Sequence, residues 1–254
     1  MLPSRLLHIS LLVSSSQRNF VSCNPLSTLK PRARSCAQTF STMAATSDSM
    51  KAAKQALRKE LRAKLATMDD DYILRASAAV ANQLFELPEY QQCKGVACFV
   101  SMPKEFNTLP ILERLFQDGK SVYLPRVESI KERKMVMLKA DSMADLESFP
   151  KNKWGIPEPP KDGPSRIEAL DEASDLDFVV VPGLAFDKAN GRMGQGAGFY
   201  DTYLEMAMSR SKAKGTKMSL VGVTLDELMV DSVPRDEHDV PLDCVLWPSK
   251  PKPQ

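Results

Sequence analysis

The chain has 254 residues, of which 43% are hydrophobic and 26% are charged, as in an ordinary globular protein. Its net charge of +2 gives no general reason to expect a nucleic-acid partner. No apolar run approaches the roughly 20 residues that a membrane-spanning helix needs. Composition therefore predicts a soluble protein that binds neither a nucleic acid nor a membrane.

The first 47 residues differ from the rest of the chain. They contain five Lys or Arg residues, many serines and no acidic residue, and subtracting those five positive charges from +2 leaves −3 for the remainder. An Arg- and Ser-rich, acid-poor start is typical of a mitochondrial transit peptide. We therefore expect residues 1–47 to be a disordered mitochondrial leader. A secretory signal, a plastid transit peptide and an unstructured tail are the alternatives, and initiation at Met43 would give a cytoplasmic form.

Helical patterns and strand patterns alternate from Lys51 onward. Leucines at a spacing of four predict a first helix with Lys54 and Arg58 on another of its faces, and a second helix is predicted from about 70 to 87. Further helices are predicted at 107–119 and at about 200–211. Short apolar runs predict six strands, at 94–101, 121–127, 135–139, 176–183, 218–224 and 242–248. Because fully apolar strands that alternate with helices are covered on both faces, we predict one three-layer α/β domain, residues 50–248, with a mainly parallel sheet and a tail, 249–254.

The segment "GRMGQGAGFYD", residues 191–201, holds four of the eleven glycines. Its spacing is not that of a dinucleotide-binding fingerprint, because the third glycine would fall on Phe199 or Asp201, and it lacks the Gly-Lys-Ser/Thr of a P-loop. A glycine-rich turn before a helix nevertheless directs backbone N–H groups at an anion. Arg192 could bind phosphate oxygens and Asp201 a magnesium ion. The alternative is a plain surface turn with Asp201 at the start of a helix.

Three other places carry polar side chains that could belong to a site. Lys54 and Arg58 lie on one side of a helix, where a solvated face is the simpler interpretation. Glu105 follows a predicted strand at its carboxyl end, where α/β sheets bind ligands, but it could be an exposed loop acid. Asp239, in "DEHDVPLD", could be a second magnesium contact or an ordinary loop charge.

Six segments of the sequence occur in a familiar order: "KQALRKEL", "SMPKE", "YLPRV", "WGIPEP", "VPGLAFDKANGRMGQGAGFYDTYL" and "VPRDEHDVPLDCVL". From about Lys51 to Trp247 the chain resembles the 5-formyltetrahydrofolate cyclo-ligase family, and the long fifth segment is highly specific. The resemblance implies a Rossmann-like three-layer sandwich and a monomeric enzyme. It also implies the ATP- and Mg²⁺-dependent cyclisation of 5-formyltetrahydrofolate to 5,10-methenyltetrahydrofolate, which releases ADP and phosphate and passes through a phosphorylated formyl group, an iminium phosphate.

The resemblance also implies roles for individual residues. The expected ATP-binding residues are Lys54, Arg58, Arg192, Met193, Gly194, Gln195, Gly196, Ala197, Gly198, Phe199 and Tyr200. The expected folate-binding residues are Arg58, Val100, Glu105, Trp154, Gln195, Phe199 and Tyr200. Asp201 and Asp239 are the expected magnesium ligands, and Lys54, Arg192 and Tyr200 are the expected catalytic residues. Arg126 is a further candidate for charge near the phosphates.

Two positions depart from the family pattern. Relatives usually carry Arg or Tyr at the position of Gln195 and Tyr at that of Phe199. A missing arginine beside the phosphates could remove about 1.5 to 3 kcal/mol of charge-assisted hydrogen bonding. The alternative function is therefore a catalytically weak protein that binds and buffers folate. The sheet alone would also suit an α/β enzyme that acts on a sugar phosphate.

Overall fold

The computed structural model describes residues 36–235 and 239–250. Contacts divide the chain into two units, Met1–Thr42 and Met43–Gln254, and both sheets belong to the second. The expected leader, residues 1–47, lies outside the described residues up to position 35. Its remaining residues belong to the first helix, which begins ahead of the helical pattern at Lys51.

The helices within the described residues are α1 (Cys36–Ala66), α2 (Asp70–Glu86), α3 (Pro88–Gln92), α4 (Leu109–Gln117), α5 (Met143–Ser148) and α6 (Phe199–Lys214). The boundary between α2 and α3 follows from Pro88, because a proline disfavours helical geometry in the residue before it. Leu87 is accordingly extended, with ψ 131°, and Pro88 then occupies the first turn of α3. α6 ends at Gly215, whose left-handed backbone, with φ 64°, closes the helix.

The main sheet contains all six strands that the apolar runs predict. They are β1 (Gly95–Ala97), β2 (Ser121–Ser129), β3 (Lys134–Ala140), β4 (Leu176–Val181), β7 (Ser219–Val223) and β9 (Cys244–Leu246). The strand order is β3-β2-β1-β4-β7-β9. Every neighbouring pair is parallel except β2 with β3, which form an antiparallel hairpin at one edge. The predicted mainly parallel sheet is thus confirmed.

Helices cover both faces of this sheet and make the three layers. Along β4, Phe178 and Val180 belong to a core shared with α1 to α5, whereas Val179 and Val181 belong to a second core shared with α6. Successive side chains of a strand point to opposite faces, so a strand buried on both sides needs an unbroken apolar run. This requirement explains why the sequence of β4 shows no alternation of polar and apolar residues.

A second, smaller sheet was not predicted from the sequence. It consists of β5 (Ala185–Asp187), β6 (Arg192–Met193) and β8 (Met229–Val230), in the order β6-β5-β8. Such short strands carry too little periodicity to be recognised. Their role is positional, because β6 delivers the chain to the glycine-rich segment. Within the residues described, no helix has the length and apolar character needed to cross a bilayer.

Candidate active site

The glycine loop, residues 194–198, connects β6 to α6 through backbone conformations that favour glycine. Gly196 and Gly198 have φ values of 101° and 77°, a region that side chains rarely tolerate. At Gly194 a Cβ atom would lie 3.0 Å from Nη1 of Arg192. α6 begins directly after Gly198, so its unpaired N–H groups point back toward the loop.

Two cavities meet at the glycine loop. One, the apolar cavity, has a volume of about 300 Å³. The other, the polar pocket, has a volume of about 390 Å³ and includes the side chains of α1 cations and acidic residues. Gly194, Gly198 and Asp201 line both. The loop therefore forms a thin wall between the two spaces, and a ligand in one can approach a ligand in the other across bare backbone.

The residues that the resemblance singles out come together around these two spaces. Those that line the apolar cavity are Val100, Glu105, Trp154, Arg192, Gly194, Gln195, Ala197, Gly198, Phe199, Tyr200 and Asp201. Those that line the polar pocket are Lys54, Arg58, Met193, Gly194, Gly196, Gly198, Asp201 and Asp239. Arg58 thus lines the polar pocket alone, and the other residues expected to bind folate all line the apolar cavity.

Besides Asp201, two carboxylates line the apolar cavity. Glu105 accepts hydrogen bonds from the Met102 N–H (3.3 Å) and from Nε2 of Gln195 (3.2 Å). Burial raises the pKa of Glu105 above its ordinary value, and those two hydrogen bonds oppose the rise. Glu158, which sequence reasoning missed, accepts a hydrogen bond of 2.7 Å from Nδ2 of Asn152. The cavity can therefore offer carboxylate oxygens to a flat, nitrogen-rich ring.

Ion pairs organise the polar side of the site. Nζ of Lys54 lies 2.8 Å from Oδ2 of Asp239, and both side chains are largely buried. Arg192, whose side chain is only 4% exposed, pairs with Asp201 across the start of α6. Arg58 donates from Nε to the Gly194 carbonyl at 3.0 Å, and desolvation lowers the pKa of Arg58, with the charge of Arg62 contributing. Each expected magnesium ligand is thus paired with an expected nucleotide-binding cation.

Tyr200 lies in the first turn of α6, between the loop and both cores. Its hydroxyl oxygen is buried and has no hydrogen-bond partner among the described residues. Burial raises the pKa of Tyr200 well above its ordinary value. A buried hydroxyl without a partner is costly, so Tyr200 can donate a hydrogen bond to a ligand in the apolar cavity.

A buried carboxylate holds the chain segment that leads to Asp239. Asp187, with a side chain only 2% exposed, accepts hydrogen bonds from the N–H groups of Gly191 (2.8 Å) and Val233 (2.9 Å) and from Nη2 of Arg235 (2.9 Å). Burial alone would raise the pKa of Asp187, but these bonds outweigh it and lower the pKa. Asp187 therefore ties the β5–β6 turn to Val233 and Arg235.

Two arginines at the site were not predicted, and one candidate lies outside both spaces. Arg62 donates from Nε to Oε1 of Gln195 (3.1 Å) and from Nη2 to its carbonyl (2.8 Å); its position four residues after Arg58 was the available signal. Arg133, on the β2–β3 turn, lines the polar pocket, and no sequence pattern marked it. Arg126 lines neither space, because it pairs with Glu128 at 2.6 Å and donates to the Pro160 carbonyl at 2.8 Å.

The fold and the two adjoining spaces define an α/β protein with room for one ligand on each side of the glycine loop. A comparison with protein families identifies which enzyme family this is. The chain belongs to the 5-formyltetrahydrofolate cyclo-ligase family, whose sequence model matches residues 50–248. The resemblance predicted from the sequence motifs is confirmed.

Relatives from a mammal, a plant and a bacterium carry names that agree with this family. The chain is 34% identical over 199 residues to the 5-formyltetrahydrofolate cyclo-ligase of Mus musculus. The aligned region covers 78% of this chain and 95% of the relative. It is 33% identical over 216 residues to the Arabidopsis thaliana protein named 5-formyltetrahydrofolate cyclo-ligase, mitochondrial, over 80% of this chain and 76% of the relative. The solved structure of Aquifex aeolicus 5,10-methenyltetrahydrofolate synthetase superimposes with a TM-score of 0.60 at 26% identity, over 79% of this chain and 95% of that one. The predicted fold class is thereby confirmed.

Proposed function

We propose that the protein converts 5-formyltetrahydrofolate to 5,10-methenyltetrahydrofolate with consumption of ATP. The formyl oxygen attacks the γ-phosphorus and ADP leaves, which gives an iminium phosphate. N10 of the folate then attacks the same carbon, its proton is lost, and phosphate departs with the former formyl oxygen. Phosphorylation is needed because an amide oxygen is both a weak nucleophile and a poor leaving group. The task of the protein is to align the two substrates and to neutralise charge on the transferred group.

One observation carries this proposal: the glycine loop is the shared wall of the apolar cavity and the polar pocket. In-line transfer requires the formyl oxygen and the γ-phosphoryl group to meet, and residues 194–198 are the place where a ligand on each side can do so. Glycine removes the side chains that would separate the reacting atoms. Family membership supplies the identities of the two substrates.

On the folate side, we assign the pterin ring to the apolar cavity. Trp154 and Phe199 offer faces on which a flat ring can stack. Glu105 offers carboxylate oxygens to the ring N–H groups, and Val100 lies beside it on the cavity wall. The Tyr200 hydroxyl, which has no hydrogen-bond partner in the described part of the chain, is available to the formyl group or to its phosphorylated form. Arg192, which also lines this cavity, would stabilise negative charge that develops during transfer.

On the nucleotide side, we assign the phosphates to the polar pocket. The first N–H groups of α6 and the cations Lys54 and Arg58 favour phosphate there. Asp201 and Asp239 line the same pocket and fit a magnesium ion shared with phosphate oxygens, because Mg²⁺ needs only one or two protein carboxylates in such sites. When bound, magnesium neutralises charge on the β- and γ-phosphates. The pairs Lys54–Asp239 and Arg192–Asp201 would then exchange partners, each cation turning to phosphate and each carboxylate to the metal.

The deciding experiment mixes purified protein with Mg-ATP and 5-formyltetrahydrofolate and follows the near-ultraviolet absorbance of the methenyl product. An ATP-dependent rise is expected, with none when ATP is omitted. The alternative is a weakly catalytic protein that binds and buffers folate, which is suggested by the departures from the family pattern at Gln195 and Phe199. Tight binding of 5-formyltetrahydrofolate without turnover would establish that alternative and reject the proposal.

We further propose that residues 1–47 direct the protein to mitochondria and that the protein acts as a monomer. The acid-free composition of the leader and the mitochondrial name of the Arabidopsis thaliana relative support the first part. Residues 1–50 fused to a fluorescent reporter should reach mitochondria, and the protein begun at Met43 should remain cytoplasmic. A diffuse reporter signal would rule out the leader, and a dimeric mass in sedimentation would rule out the monomer.

A further inference from the structure

The β2–β3 turn brings a cation to the glycine loop. Arg133 lies at the end of this turn with φ 52°, and its N–H donates to the Ile130 carbonyl at 3.3 Å. A Cβ atom added to Gly198 would lie 3.1 Å from Cδ of Arg133. The arginine side chain therefore rests on the last residue of the loop, directly ahead of the first turn of α6.

Arg133 differs from the other cations at this place in what its guanidinium contacts. In the polar pocket, Lys54 is paired with Asp239 and Arg58 donates to the Gly194 carbonyl. Within residues 36–235 and 239–250, Arg133 makes no side-chain hydrogen bond or ion pair, although it is exposed and lines the same pocket. Its five N–H donors are thus available to a ligand without the loss of a protein contact.

The charge balance of the polar pocket points the same way. Its charged lining consists of Lys54, Arg58, Arg133, Asp201, Glu205 and Asp239, three cations against three acids. Without Arg133 the lining would carry a net negative charge, which would repel the polyphosphate of a nucleotide. A guanidinium matches phosphate geometry through paired N–H groups, and the adjoining α6 terminus supplies N–H donors to the same anion.

We propose that Arg133 is a phosphate-binding residue of this enzyme, carried to the nucleotide by the β2–β3 turn. The inference rests on the proposed function, since it assigns a further residue to the nucleotide half of that site. Arg133 also links the edge hairpin of the sheet to the loop, so nucleotide binding fixes the turn between β2 and β3 against Gly198. The alternative is that the Arg133 guanidinium pairs with an acidic residue of the polar pocket, which would make its role structural.

The test measures nucleotide binding directly, so that it does not depend on turnover. Arg133→Gln, Arg133→Lys and the control Lys131→Gln are titrated calorimetrically with Mg-ADP, with a non-hydrolysable Mg-ATP analogue and with 5-formyltetrahydrofolate. Lys131 is an exposed cation on the same turn that lines neither space. Loss of a charge-assisted hydrogen bond predicts that Arg133→Gln raises the nucleotide Kd about 10- to 150-fold. Arg133→Lys should recover part of the affinity, and Lys131→Gln should match the wild type.

Further readouts separate phosphate binding from a structural role. The Kd for 5-formyltetrahydrofolate and the Tm of the unliganded protein should be unchanged in Arg133→Gln. A nucleotide Kd within about twofold of the wild type, or an equal loss of folate affinity, would overturn the inference. Wild-type protein that binds nucleotide but forms no methenyl product would reject the proposed reaction while leaving Arg133 to be judged by its Kd. Wild-type protein that binds no adenine nucleotide would reject both.

Discussion

Two ion pairs at the site each neutralise a largely buried cation with a carboxylate. The Lys54–Asp239 and Arg192–Asp201 pairs each join a cation expected to bind phosphate to an expected metal ligand. Removing one member of such a pair does two things at once, because it takes away a ligand contact and leaves the partner unneutralised. Predictions for single residues therefore need control variants that change a charge on the same helix without breaking a pair.

For Lys54→Ala we expect a rise in the KM for ATP of about 10- to 150-fold, the cost of one charge-assisted hydrogen bond, with a smaller rise in the KM for folate. Steady-state kinetics with each substrate varied in turn will measure both. Lys59→Ala, an exposed position of α1 that lines neither space, serves as the control. Equal effects on both KM values would remove Lys54 from the nucleotide site.

Asp201→Asn should lower turnover at least about 10- to 100-fold through weakened magnesium binding. High Mg²⁺ concentrations should recover part of the rate. The matched control is Glu205→Gln, which removes the same charge one turn further along α6 from the same polar pocket. If both variants lose activity equally, the loss comes from removing a negative charge from the polar pocket, and Asp201 is not a metal ligand.

Glu105 predicts a pH dependence of stability. Since burial raises its pKa in the folded state, the folded protein binds a proton more readily there than the unfolded chain does. The free energy of unfolding that Glu105 contributes is therefore greatest below its unfolded pKa and is lost as the pH rises through the folded pKa. Urea denaturation across this range should show the wild type losing stability relative to Glu105→Gln. A difference that is flat or of opposite slope would contradict the assigned burial.

At the scale of single elements, the glycine loop is the segment to which the proposed function assigns both substrates. Backbone carbonyls of the loop accept hydrogen bonds from Arg58 and Arg62 of α1. Arg133 of the β2–β3 turn lies beside Gly198 at the end of the loop. The chain before Asp239 is held by Asp187. Elements far apart in sequence thus fix a segment that has almost no side chains of its own.

Gly198→Ala tests the loop as an element. Its φ of 77° should cost about 1–2 kcal/mol of unfolding free energy for any side chain, and the new methyl group would also press on Arg133 at 3.1 Å. Gly119→Ala is the control, because Gly119 has φ 69° and no neighbouring atom within 4 Å. Both variants should lose similar stability in denaturant titrations, but only Gly198→Ala should bind Mg-ADP more weakly. Equal nucleotide affinity in the two variants would show that the loop tolerates a side chain.

At the scale of the whole molecule, one loop serves two spaces, which predicts coupling between the substrates. Each ligand orders residues that the other also contacts, so binding of the first lowers the entropic cost of ordering them for the second. We expect a non-hydrolysable Mg-ATP analogue to lower the calorimetric Kd for 5-formyltetrahydrofolate, and folate to lower the nucleotide Kd by the same factor. If neither ligand changes the Kd of the other, the two sites are not coupled through the glycine loop and the prediction is contradicted.

The sequence by itself determined the family and the six strands of the main sheet. Family motifs such as the one spanning Pro182 to Leu204 are contiguous, and a strand buried on both faces must be an unbroken apolar run, so both signals are local. The roles of the expected catalytic and binding residues remain predictions, but every one of those residues lines one of the two spaces. Further lining residues, such as Glu158 and Arg133, were not predicted. The short strands of the small sheet were missed, and the role of Arg126, which pairs within its own hairpin, stays a prediction.

The tertiary structure alone decided which charges meet. Lys54 and Asp239 are separated by 185 positions in the chain, and nothing in either neighbourhood specifies that they pair. Arg133 could not be predicted for the same reason. In the sequence it is an arginine in a polar turn like any solvated surface charge, and only the fold places it beside Gly198. Local patterns encode which face of an element is buried, whereas contacts between side chains of distant elements exist only once the sheet has brought those elements together.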